Sequence, residues 1–98
     1  MIGFTARAAR QFRDLRQHYE ELGRPAALRA LIHAVDDAGR RIEADPRAGL
    51  SAPRPYPELA RPGWKWLKAG RYWIAYTQAD PPEISAVFFE TANIPGRL

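Results

Sequence analysis

Residues 64–78, WKWLKAGRYWIAYTQ, hold all three tryptophans of the chain, two of its four tyrosines and three cations. Two runs rich in aromatic residues flank Ala69-Gly70, and glycine accepts the positive φ that a two-residue hairpin turn demands. A β-hairpin is therefore predicted, with strands at 64–68 and 71–78 and Ala69-Gly70 as its turn. Pairing outward from that turn sets Lys68 against Arg71, Leu67 against Tyr72, Trp66 against Trp73, Lys65 against Ile74 and Trp64 against Ala75. Directly paired residues share a face of the sheet. One face then carries Trp64, Trp66, Trp73 and Ala75, with Lys68 and Arg71 at the turn end. The other carries Leu67, Tyr72, Ile74 and Tyr76, with Lys65. Both faces are apolar, and a register slip of one residue would exchange them.

Upstream, residues 1–4 are short and apolar and suit an edge strand. Thr5 is a good N-cap, because its hydroxyl can accept from an amide at the start of a helix. Ala8, Phe12, Leu15, Tyr19 and Leu22 recur at spacings of four and three, one stripe of a helix. Gly23 stops it. Pro25 suits the first position of a second helix, whose stripe is Leu28, Leu31, Ile32, Val35, Ala38 and Ile42. That helix should end near Asp45, since a residue before proline avoids the α region. The link between the helices is short, so they should be antiparallel neighbours.

Residues 46–63 contain Pro46, Pro53, Pro55, Pro57, Pro62, Gly49 and Gly63. A long loop is expected there, of a length that is often functional. After the hairpin, Asp80-Pro81-Pro82 marks a turn and residues 83–90 a last strand. The pattern of that strand does not fix its facing, because Ala86 and Phe88 alternate with Val87 and Phe89. The predicted fold is one α+β domain over residues 1–98, of order β-α-α-β-β-β. Its helical hairpin packs on one face of a small antiparallel sheet, since each element must bury its apolar side. The aliphatic face suits the helices better. The tryptophan face is left for the long loop, a partner or a ligand.

Ninety-eight residues suit a single domain, and the composition, 46% hydrophobic and 27% charged, is that of a globular chain. There is no cysteine, hence no disulfide framework and no thiolate site. No apolar run approaches the roughly 20 residues of a membrane span, and the first residues do not read as a signal peptide. A soluble, cytoplasmic protein without membrane association is expected. The net charge is +4, which suits a polyanion or an acidic protein as partner. The excess is local. Residues 54–71 carry five cations, Arg54, Arg61, Lys65, Lys68 and Arg71, against the single anion Glu58.

Acid–base and metal chemistry find few candidates. His18 and His33 each stand alone in mid-helix and read as surface or interhelical residues. With no cysteine and no histidine pair, no metal site and no cofactor are expected. Glu20-Glu21 and Asp36-Asp37 are neighbours on helices, so each pair points to different sides. Neither Gly63 nor Gly70 opens a helix as a phosphate loop would. The tryptophan face admits three readings: a stack for single-stranded bases, core beneath the proline-rich loop, or a docking surface for another protein.

The element order and several phrases resemble the RelE/ParE family of bacterial toxin–antitoxin toxins. The similar pieces are IGFTARAARQFRDLRQHYEELG (2–23), IEADPRAG (42–49), LKAGRYWIAY (67–76) and VFFETANIPGR (87–97), which together span most of the chain. The resemblance implies a small α+β toxin that a cognate antitoxin wraps and neutralises in a hetero-oligomer. RelE-like members are ribosome-dependent messenger RNA endonucleases, whereas ParE-like members inhibit DNA gyrase. Endonucleases of this kind use arginines, lysines and a tyrosine to activate a 2′-hydroxyl and stabilise the phosphate. In this chain the positions similar to two such arginines hold Trp73 and Ala92, with Arg71 two residues early and Arg97 five residues late. Neither replacement can grip a phosphate as a guanidinium does.

The resemblance therefore points to the ParE-like group, a growth inhibitor that binds rather than cleaves. Trp66, Lys68, Arg71, Trp73 and Arg97 are the expected partner-binding residues. The alternatives are an endonuclease, with Lys65, Lys68, Arg71 and Tyr76 as its catalytic candidates, and an inactive member that still binds its antitoxin.

Overall fold

The structure, a computed structural model, describes residues 2–92 and 94–97. Strand β1 (Gly3–Phe4) leads directly into helix α1 (Ala6–Glu21). Thr5 marks the boundary. Its hydroxyl accepts from the Ala8 amide at 3.2 Å, as an N-cap should, and donates to the Ser85 carbonyl at 3.4 Å. Gly23, at φ +62°, closes α1 in the left-handed region that glycine enters at little cost. Helix α2 (Pro25–Ala44) starts on its proline and ends one residue before Asp45. Both helices thus lie where the periodicity puts them.

Strands β2 (Trp64–Ala69), β3 (Tyr72–Thr77) and β4 (Glu83–Phe89) form the antiparallel meander. β1 joins it by pairing parallel to β4, so the sheet is mixed, in the order β1-β4-β3-β2. The chain leaves β1 through two helices and returns three strands later, which lets its first strand lie beside its last.

The hairpin turn is Gly70-Arg71, one residue later than expected. Gly70 has φ +56° and Arg71 does not have a positive φ. A type II′ turn demands a glycine at its first central position, and this places Gly70 first. Ala69 therefore faces Tyr72, Lys68 faces Trp73, Leu67 faces Ile74 and Trp66 faces Ala75. Every partner moves by two residues relative to the predicted pairing. A move of two keeps each side chain on its face, so the division into an aliphatic and a tryptophan face survives.

The last strand owes its ambiguous pattern to a bulge. β3 pairs Ala75 with Ala86 but Tyr76 with Ile84, which leaves Ser85 as the extra residue. Beyond it the alternation changes sign. Ala86 and Phe88 lie on the tryptophan face, whereas Ile84 joins Val87 on the helical face.

Two cores result. Between helices and sheet, Leu31, Val35, Ala38 and Ile42 of α2 and Ala8 and Tyr19 of α1 meet Leu67, Ile74, Tyr76, Ile84 and Val87. Leu22 and Ile32, expected in the stripes, are exposed instead. Leu22 is already the C-cap of α1, and Ile32 is turned about 100° from Leu31 around the helix axis. The second core lies on the opposite face, where Trp66, Trp73, Ala75, Ala86 and Phe88 are covered by Leu50, Tyr56 and Leu59 of the 46–63 loop and by Ile94. Ile94 begins a short helix, α3 (Ile94–Arg97). Leu50 fixes the loop by exchanging two backbone hydrogen bonds of 2.7 Å with Trp66. No helix is long and apolar enough to cross a membrane among the described residues.

Candidate functional site

Charge gathers at the turn of the β2–β3 hairpin. The Lys68 ammonium lies 3.0 Å from Glu90 Oε2, and Arg71 Nε donates to Glu90 Oε1 at 2.7 Å. The Glu90 amide also donates to the Arg71 carbonyl at 2.9 Å, one step beyond the ends of β3 and β4. The Arg71 guanidinium first, and the Lys68 ammonium second, hold the Glu90 carboxyl below its ordinary range. One anion thus orients two cations and leaves the turn positive.

Aromatic rings support these cations from below. Lys68 Nζ is 5.4 Å from the centre of the Trp73 ring, and Arg54 Cζ is 6.0 Å from it. Arg71 Cζ stands 4.8 Å over Phe89, and Arg61 Cζ 4.8 Å over Trp64. Attraction to the ring faces holds the cationic heads in place while the surface stays wet. From α2, Arg41 donates to the Lys68 carbonyl at 2.9 Å and pairs with Asp37 at 3.5 Å.

The tryptophans stand elsewhere than expected. Trp66 is 0% exposed and Trp73 4%. The expectation that these two form surface contacts is corrected: the 46–63 loop and α3 bury both rings, because so large an apolar face is stabilised by cover from its own chain. Trp64 is half-buried. Of the expected partner-binding residues, Lys68 and Arg71 reach the surface. Arg97 ends α3, and its side chain lies outside the described residues.

The nuclease candidates do not all converge: Lys68 and Arg71 meet at Glu90, but Lys65 and Tyr76 do not join them. Lys65 faces Tyr76 on the helical face, whereas Lys68 stands beside Trp73 on the other, and Arg71 sits in the turn between them. Tyr76 is 1% exposed. Its hydroxyl donates to the Pro46 carbonyl at 2.8 Å and accepts from the Gly49 amide at 3.0 Å. Burial raises its pKa above the ordinary value, against the lowering effect of the Gly49 bond. A hydroxyl with its proton committed and no route to solvent cannot act as acid or base on a bound RNA. Ala92, where the resemblance implies an arginine, packs against the tryptophan core. His18 and His33 are exposed on the helices. Among the described residues no group of three or more histidines and carboxylates could hold a metal ion.

Three of these contacts had no signal in the expected pairing. Glu90 comes beside Arg71 only through the observed β3–β4 register. Arg41 reaches Lys68 across 27 positions of sequence. The hydroxyls of Tyr19 and Tyr72 meet at 2.8 Å behind the turn, between α1 and β3. No protein-family model matches the chain, and no curated protein matches it.

Proposed function

We propose that this chain is the toxin of a bacterial type II toxin–antitoxin pair, of the ParE-like kind. It arrests growth by binding DNA gyrase, and a cognate antitoxin holds it inactive. The reading rests on the resemblance of residues 2–23, 42–49, 67–76 and 87–97 to RelE/ParE toxins. The observation that favours binding over cleavage is the separation of Lys65 and Tyr76 from the Lys68–Arg71 pair. Two face the helices, one faces the loop, one lies in the turn, and the tyrosine hydroxyl is sealed. Phosphoryl chemistry on RNA needs such groups around one phosphate.

The charged turn supports the same reading. Lys68 and Arg71 are braced by one carboxylate and two rings, and interfaces favour arginine held in a defined pose. Gyrase bound to DNA, or the acidic segment of an antitoxin, presents the opposite charge. Cytoplasmic residence belongs to this reading, since both partners lie there.

A supercoiling assay with purified gyrase tests it. Added chain should block supercoiling, and equimolar antitoxin should restore it. The variant Lys68→Ala/Arg71→Ala should need at least tenfold more protein for the same block. Full supercoiling at excess wild-type chain would defeat the proposal.

A further inference from the structure

Between α2 and the β2–β3 turn lies a cavity of about 410 Å³, within the roughly 300–1,000 Å³ of small-ligand sites. Alanines of the first turns of α2 and the Phe89 ring make its apolar walls, and Tyr19, Tyr72, Arg24 and Arg71 supply its polar groups. Both tyrosines are buried, and their hydroxyls lie 2.8 Å apart. Two hydroxyls carry two protons, and the bond between them uses one. The second proton has no acceptor among the described residues. Burial first, and the Tyr19 hydroxyl second, raise Tyr72 well above its ordinary value of 10.0, so it remains a donor at neutral pH.

The cavity is also electropositive. Arg24 forms no ion pair with a described residue. Arg71 commits its Nε to Glu90, which leaves the four N–H groups of its two amino nitrogens. Glu90 is shared between Lys68 and Arg71, so it does not neutralise both. An unspent hydroxyl proton and two guanidiniums over apolar walls match an anion that carries an apolar body.

We propose that this cavity binds a small organic anion, a carboxylate or a phosphate monoester. Its anionic end lies against Arg24, Arg71 and the tyrosine pair, and its apolar body against Phe89 and Ala30. The cavity shares Arg71 with the surface proposed to meet gyrase, but Arg24 and the tyrosine pair belong to it alone, so anion binding holds or fails independently of any effect on supercoiling.

Titration of the ¹⁵N-labelled full chain with phenyl phosphate, benzoate and inorganic phosphate, followed by NMR, tests the proposal. Phenyl phosphate or benzoate should give saturable shifts at the amides of Ala27, Ala30, Gly70 and Phe89, and the tighter of the two identifies the anionic group. Inorganic phosphate, which lacks the apolar body, should bind at least tenfold more weakly than phenyl phosphate. Arg24→Gln, an exposed change that leaves the fold intact, should weaken binding about tenfold, the loss of one charge-assisted contact. Tyr19→Phe/Tyr72→Phe should weaken it too, and Arg47→Gln, outside the cavity, should not. Shifts that fail to saturate, shifts spread over basic residues elsewhere, or an Arg24→Gln chain that binds as well as wild type would each overturn it.

Discussion

The Tyr76 hydroxyl donates its proton to the Pro46 carbonyl and receives that of the Gly49 amide. Its work is to tie the start of the long loop to the sheet. Tyr76→Phe leaves a half-buried carbonyl and amide without that partner, and should cost about 1–3 kcal/mol in chemical denaturation. Growth arrest by the variant should persist wherever it remains folded. Glu90 carries a second prediction. Its folded pKa lies below the ordinary 4.5, so it contributes stability above that value and loses it as pH falls through the folded pKa. Glu90→Gln should therefore be less stable than wild type at pH 7, and the difference should vanish in acid. Added salt should shrink it at pH 7, since the pair is partly exposed. A gap between the two proteins that persists below the folded pKa would mean that packing, not charge, holds this corner.

At the scale of elements, most of the fold was legible because helices and turn punctuation are local. Thr5, Gly23 and Pro25 each state a boundary with their own chemistry, and the helical stripes state which face is buried. What escaped was set by distant pairing. The parallel place of β1 depends on β4, some 80 residues later in the chain. The facing of β4 depends on a bulge at Ser85, which no alternation of Ala86, Val87, Phe88 and Phe89 announces. The hairpin turn lies one residue beyond the expected Ala69-Gly70, because both Ala69-Gly70 and Gly70-Arg71 contain the glycine and only the conformation of Gly70 separates them. The site suffered from the same limit. Lys68 and Arg71 were readable as cations at a turn, but their partner Glu90 was not, and the depth of Trp66 and Trp73 depends on where a proline-rich loop comes to rest. That loop yields a test of its own. A Cβ at Gly49 would stand 2.8 Å from Lys65 Cβ and against the Tyr76 hydroxyl. Gly49→Ala should lift the loop from the sheet, raise the exposure of the tryptophans and red-shift their fluorescence. Unchanged fluorescence and stability would show that the loop is held elsewhere.

For the whole molecule, the distribution of work between the two faces matters most. One face of the sheet is given to the helical hairpin, the other to the loop and α3. On the hairpin and the long loop, positive charge at Arg54, Arg61, Lys68 and Arg71 is spread over the surface. Such a surface suits recognition of a macromolecule and makes binding weaken with salt. The central proposal, growth arrest by binding without bond-breaking, is tested most directly by inducing the chain in bacteria without antitoxin. Plasmid superhelicity and the 5′ ends of translated messages are then read from one culture. Relaxed plasmid with unaltered message ends is the predicted result. New message ends with normal superhelicity would contradict it.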